Sequence, residues 1–230
     1  MIAFTAEERD AIALSIRVAA LAVACAAPFA IAVACVLARG RFRGKILFDA
    51  LVHLPLVLPP VLTGYVLLVL FGRHGPVGSR LHDWFGIGVA FHWTGAVIAA
   101  AVMAFPLFVR AVRLSIEAIP AELDEIAASL GAGPWTRFRR VLLPLSLPGI
   151  AAGSTLAFAK ALGEFGATIT FVSNIPGQTR TIALAIQSLT QVPGGESGIG
   201  RLAVVSVLLS LAALAASEWL ARRALRRRRG

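Results

Sequence analysis

A chain of 230 residues that is 58% hydrophobic and only 15% charged, with a mean hydropathy of +0.81, carries more apolar surface than a water-soluble core absorbs, and describes a polytopic membrane protein. Its 22 basic and 12 acidic residues leave a net charge of +10, yet no aqueous segment is long enough to build a basic surface interleaved with aromatics, which excludes a nucleic-acid-binding module. His53, His74, His82 and His92 lack metal-ligand spacing, and Ser154 and Ser173 lack a nucleophile-elbow context, so neither a metal site nor hydrolytic chemistry is expected.

Five apolar runs order the chain. The first, about 12–37, suffices for a hydrocarbon core that takes about 20 helical residues. Its start, MIAFTAEERD, has no basic region before a short apolar core and reads as a span, not a cleaved signal. Cys25 and Cys35 lie too far apart along that helix to bridge. The second run, about 48–71, holds Pro55, Pro59 and Pro60 and is expected to be bent or broken. Carbonyls freed there at membrane depth are tolerated only against protein or a water-filled cavity. Residues 72–92 form a glycine-rich polar loop, with Trp84 and Trp93 placed as an interfacial belt.

The third run, about 94–112, leads into a polar stretch at 113–144. The fourth, about 145–172, is expected as one helix and contains Lys160 and Glu164. After it come a turn and a short amphipathic segment (Ile182, Ala185, Ile186, Leu189), too short to span, and a glycine-rich link. The fifth run, about 202–220, precedes Arg222, Arg223 and Arg226 to Arg229. The chain thus reads as one transmembrane domain over 1–230. With the N-terminus outside, fifteen of the 22 basic residues fall in the cytoplasm, six outside and Lys160 in the membrane, as the positive-inside rule requires.

The 113–144 stretch is otherwise basic but carries Glu117, Glu122, Asp124 and Glu125, a third of the chain's acids. Pro120 suits a helix start, acids suit its first turn and Gly131 suits its end. Leu123, Ile126, Ala127 and Leu130 share one face, with Glu122, Glu125 and Ser129 on the other. So short a helix needs a partner surface, and Ala127 and Ala128 admit a close one.

From Glu125 the sequence reads EIAASLG, and after nine residues VLLP at 141–144. This resembles the EAA signature of ABC importer permeases, in which an E-A-A triplet, three residues, a glycine, nine residues and I-x-L-P form the loop that docks on the ATPase. Ile126 stands where the signature has Glu, with Glu125 one place earlier. HLPLVLPPVLTGYVLLVLFGR (53–73), the block 93–114 and LGEFGATITFVSNIPGQTRTIALAI (162–186) resemble the molybdate branch of that family, and the likeness extends over nearly the whole chain.

The resemblance implies an all-α type I ABC importer permease fold with about five transmembrane helices, in the bacterial inner membrane, with the N-terminus periplasmic and the C-terminus cytoplasmic. It implies import of a tetrahedral oxyanion: molybdate, with tungstate and sulfate left open. It implies no cofactor. GRFRGKI at 40–46 has one residue too few between its glycines, and no Ser or Thr after Lys45, for a P-loop. A cytoplasmic ABC ATPase would therefore supply the energy, a periplasmic oxyanion-binding protein the substrate, and a second copy the other half of the path. The implied ATPase-coupling residues are Glu122, Glu125, Ile126, Ala127, Ala128, Gly131 and Pro144.

The residues themselves suggest Thr63, Gly64, Lys160, Glu164 and Thr168 for the path. Lys160 and Glu164 are spaced i, i+4 and would project from one helix face. Ionisable residues at such depth face a bundle interior or an aqueous route, with a structural salt bridge as the other reading. Around them Gly163, Gly166 and Thr170 equally suit close packing. Two other classes remain open: an ion-coupled secondary transporter using Lys160 and Glu164 as a relay, and an intramembrane enzyme.

Overall fold

The computed structural model describes residues 4–226, among which every regular element is helical. In chain order these are α1 (Ala6–Arg39), α2 (Lys45–Val57), α3 (Pro60–Phe71), α4 (Gly78–Phe85), α5 (Trp93–Glu117), α6 (Ala121–Ser129), α7 (Pro134–Arg137), a π-turn (Phe138–Leu142), α8 (Leu143–Leu162), α9 (Gly166–Val172), α10 (Ile182–Leu189) and α11 (Glu196–Arg226). Four segments are long and apolar enough to cross a membrane: α1, α5, Pro134–Leu162 and Glu196–Ala216. The pair α2 and α3 makes a fifth when counted as one span, bent by 110°.

The frame is α1, α5 and α8, held by small side chains. Ala19, Ala22, Ala26, Ala30 and Ala34 bury one stripe of α1, and Ala96, Ala99, Ala100 and Ala104 are buried on α5. On the α8 side, a Cβ on Gly149 would overlap Ser115, and one on Gly153 would lie 2.7 Å from the Phe108 ring. Lipid tails are as apolar as leucine, so helices in a membrane gain little by hiding leucine from them. They gain by close approach, which small residues permit. Isolated prolines at 28, 106 and 148 stay inside their helices. Only the adjacent pair Pro59–Pro60, which removes two consecutive donors, coincides with a break.

The helix ends are fixed by charge. At its start α1 carries a capping box: the Glu8 N–H donates to Thr5 Oγ1 at 3.2 Å, and the Thr5 N–H to Glu8 Oε2 at 2.8 Å. Glu8 also accepts from Arg201 of α11 at 2.7 Å. Near the start of α5, the Arg17 guanidinium lies 3.8 Å from the centroid of the Trp93 ring. At the far end, Arg39 Nη2 donates to the carbonyls of Ile116 and Ile119, at 3.3 and 2.7 Å, tying α1 to the chain that enters α6.

Two expectations change. The fourth run is not one helix: α8 stops at Leu162 and α9 begins at Gly166. The third helix outlasts its apolar run, continuing through Arg113 to Glu117: Val112 and Ile116 stay buried on its inner face, and Arg113 and Glu117 are bonded one turn apart at 2.8 Å. The amphipathic segment forms α10, where Ile182, Ala185 and also Leu184 are buried. Arg227 to Arg229 of the basic tail lie outside the described residues.

Gly153→Leu drives a branched side chain into the Phe108 ring, and overpacking of this kind costs about 1–3 kcal/mol. A lowered unfolding temperature of the purified variant in detergent, against an unchanged lipid-facing control such as Val207→Leu, is the expected measurement.

Candidate functional site

The chain leaves α2 through Leu58 and Pro59 in extended backbone, and α3 restarts with Pro60 in its first turn. Likewise α8 ends at Leu162, and α9 restarts after Gly163, Glu164 and Phe165. These two restarts touch. A Cβ on Gly166 would lie 2.6 Å from Pro60 Cβ, and one on Gly64 would lie 2.5 Å from the Ala167 carbonyl oxygen. Further on, the Phe71 and Phe171 rings meet at 6.3 Å between centroids. So α3 and α9 run parallel, backbone to backbone at their starts, and Gly64 and Gly166 are the residues that permit it.

Glu164 sits in the α8–α9 break with 3% of its surface exposed. Its Oε2 accepts from Lys160 Nζ at 2.9 Å, and its Oε1 accepts from the Ala167 N–H at 3.0 Å. The i, i+4 spacing predicts a pair on one continuous helix. The pair forms, but Glu164 lies two residues past the end of α8, from where one carboxylate neutralises the lysine and satisfies an orphan donor of α9. Lys160 keeps about a third of its side chain exposed. Thr168 is buried. Thr63 is buried too, and its Oγ1 finds no partner among the described residues. Thr170 bonds back to the Gly166 carbonyl at 3.0 Å.

The second site residues lie at the end of the bundle. α6 rests against α7 and the π-turn, and none of its residues is buried. Pro120 precedes the helix. Gly131 follows it at φ +82, with its N–H on the Ala128 carbonyl and the Ala132 N–H on that of Ala127, a Schellman end that needs the left-handed conformation. Arg137 holds Asp124 at 2.8 Å, so α6 and α7 form one unit. Glu122, Glu125, Ala128 and Gly131 face outward, as does Ile126 at 55% exposure; Ala127 is half-buried. Leu123, Leu130 and Trp135 are also exposed, giving α6 an uncovered apolar flank. Pro144 stands in the first turn of α8, after a π-turn in which the Leu143 N–H reaches the Phe138 carbonyl.

The path candidates thus converge on the α3–α9 contact, while the α6 group stands apart, joined to it by α8. From Pro144 to Lys160 is about 24 Å of helix. Sequence reading missed the ties that set these positions. Arg113 Nη1 reaches Asp49 at 2.9 Å, and this anchors α2, a helix with no buried residue. The neighbouring Arg113–Glu117 spacing was a usable signal. Asp49, 64 residues away, offered none.

The fold has solved counterparts. A bacterial ABC transporter involved in import of the acidic polysaccharide alginate superposes with a TM-score of 0.75 at 17% identity, covering 96% of this chain and 80% of that one. The architecture is that of a type I ABC importer permease. The model of the family described as binding-protein-dependent transport system inner membrane component matches residues 26–229, and the chain belongs to that family. The molybdenum transport system permease protein ModB of Escherichia coli K12 is 57% identical over 218 residues, 95% of each chain. That of Haemophilus influenzae is 53% identical over 216 residues, 94% of each. The protein is a multi-pass transport permease of the inner membrane.

Lys160→Met strands a buried carboxylate, whereas Glu164→Gln leaves a lysine that still reaches solvent. Removing one partner of a buried pair costs about 3–5 kcal/mol, less here because Lys160 is partly exposed. The expected order of damage to folded yield and thermal stability is Lys160→Met first, Glu164→Gln second, and the double variant closest to wild type. Additive losses in this cycle would mean that the two residues are not coupled.

Proposed function

We propose that this permease carries molybdate inward along the α3–α9 contact, with a second copy forming the opposite wall. The observation that carries this reading is the meeting of two helix breaks around Lys160 and Glu164, beside a buried threonine hydroxyl with no partner among the described residues. Broken helices are where transporters gather their polar groups at membrane depth. The relatives named for molybdenum transport supply the substrate. Pro59 and Pro60 are exposed on the single chain, and a break in hydrocarbon needs cover from protein or water, which a second copy and an aqueous path provide.

Thr63 and Thr168 offer hydroxyl contacts to a dianion, and Lys160 offers charge. Glu164 keeps that charge from binding the oxyanion too strongly for release. By the positive-inside rule, the basic residues of 39–45 and 110–140 argue for a cytoplasmic α6 end and a periplasmic N-terminus. There α6 seats in a separate ABC ATPase through Leu123, Ile126 and Leu130, flanked by Glu122 and Glu125. With Ile126 at the signature's Glu position, the contact at that point is apolar. Closure of the ATPases then moves α6 and α7 as a unit and pulls on α8 through Pro144. A periplasmic oxyanion-binding protein delivers substrate at the other end.

Two experiments test this. Thr63→Val removes an unsatisfied buried hydroxyl, so stability holds or rises. Molybdate uptake falls on the order of tenfold, the value of a lost hydrogen bond to a charged group. Uptake at the wild-type rate would remove Thr63 from the path. Ala128→Asp, exposed and harmless to the fold, lowers recovery of the ATPase in affinity purification and ATP-driven uptake alike, each at least tenfold. An intact complex with full uptake would defeat the coupling role of α6.

A further inference from the structure

At the end of the bundle opposite α6, the turn after α3, α4 and the segment entering α5 enclose a cavity of about 340 Å³, within the size range of small-ligand sites. Arg73, His82, Gly86, Gly88 and Phe91 line it, and no acidic residue does. Asp83, although next to His82, is not in the lining. The other charged cavities differ. Between α1, α10 and α11, Arg180 is held by Glu7 at 2.9 Å and Arg201 by Glu8 at 2.7 Å. Between α2 and α5, Arg113 is held by Asp49 and Glu117, and these two acids line the cavity beside Arg110, so it is mixed in charge. Among the described residues Arg73 makes neither an ion pair nor a hydrogen bond.

The walls are set before any ligand arrives. A Cβ on Gly78 would overlap the carbonyls of Phe71 and Gly72, and one on Gly75 that of Val69, so the turn bearing Arg73 is folded hard onto the end of α3. Phe91 is held at φ +57, a left-handed conformation costly for a bulky residue, with its N–H on the Phe171 carbonyl at 3.4 Å. Beside it the N–H groups of Gly88, Val89 and Ala90 find no acceptor among the described residues. A fixed concave site with a free guanidinium, an imidazole and unclaimed peptide donors has the chemistry of an oxyanion receptor.

We propose that this cavity binds a tetrahedral oxyanion group, with Arg73 as the main contact and His82 as the second. Phe71, in its lining, packs on Phe171, so the cavity stands at the far end of the same α3–α9 contact whose start holds Lys160 and Glu164. On the reading of that contact as the path, it is a waiting site at the entrance. Two sources offer the same chemistry. One is free molybdate. The other is a phospholipid headgroup, which the exposed Trp84, Phe85 and Ile87 bring within reach.

The test uses the permease in complex with its ATPase, in phosphatidylcholine nanodiscs. Radiolabelled molybdate binding is measured by equilibrium dialysis, and retained phosphatidylglycerol is counted by native mass spectrometry on complexes purified from membranes. Arg73 is exposed and unpaired, so Arg73→Gln folds. If the ligand is the free oxyanion, Arg73→Gln weakens molybdate binding at least tenfold and His82→Gln about threefold. Arg80→Gln, whose guanidinium is engaged by the Pro76 carbonyl, changes it less than twofold. If the ligand is lipid, Arg73→Gln loses the retained phosphatidylglycerol instead. Wild-type behaviour in both measurements overturns the proposal. Thr63→Val separates the two readings: it lowers uptake and spares binding at the cavity if both hold. If it transports normally while Arg73→Gln still loses binding, the path reading alone fails.

Discussion

A peptide group left unpaired in hydrocarbon costs several kcal/mol, and this chain interrupts its helices twice where a membrane would surround them. Regular helix stops at Leu58 and Pro59, and again over residues 163–165. The fold tolerates this by setting one break against the other: Gly166 against Pro60, and Gly64 against Ala167. Glu164 then answers the open end of α9 from within the break, and Lys160 answers Glu164. Lengthen either glycine by one carbon and the two restarts must separate, and the carboxylate, the lysine and the donor it caps would lose their common position.

Around this contact the molecule divides into a stiff frame and lightly held parts. The alanine stripes of α1 and α5, and Gly149 and Gly153 of α8, bring three long helices to distances at which dispersion replaces the hydrophobic effect as the cohesive force. By contrast α2 has no buried residue and is tethered through Asp49 and Arg113. The α6 unit hangs from the frame by Arg39 at one end and Pro144 at the other. The long helices are thus the stiff elements, and the lightly held ones leave much of their surface open.

Charge follows the same division. Most ion pairs cap helix ends or tie neighbouring ends together, where water lowers their cost. The Lys160–Glu164 pair is the one described ion pair at a helix break, with its carboxylate buried and its lysine partly open. That asymmetry leaves the lysine in contact with its surroundings while the carboxylate is sealed inside. At one end of the same contact the Arg73 guanidinium has no partner among the described residues, and at the other end Lys160 is paired with Glu164.

Much of this was legible in order along the chain. The apolar runs, the break at Pro59–Pro60, the left-handed Gly131 and the partnerless flank of α6 follow from local rules: span length, missing donors, permitted φ, and helical periodicity. The second break was not legible, because Gly163 and Gly166 also suit an unbroken, tightly packed membrane helix, and only the contact with Pro60 requires a restart there. Nor were Arg201 on Glu8 or Asp49 on Arg113, whose partners are 193 and 64 residues apart. By itself the sequence determined which segments are long and apolar enough to enter a membrane, where a proline pair breaks a helix and which short helix carries an exposed apolar flank, since each depends on neighbours a few residues away. Only the tertiary structure decided that Thr63, Gly64, Lys160, Glu164 and Thr168 belong to one place, because close approach between backbones is a property of pairs of helices and is written in neither alone.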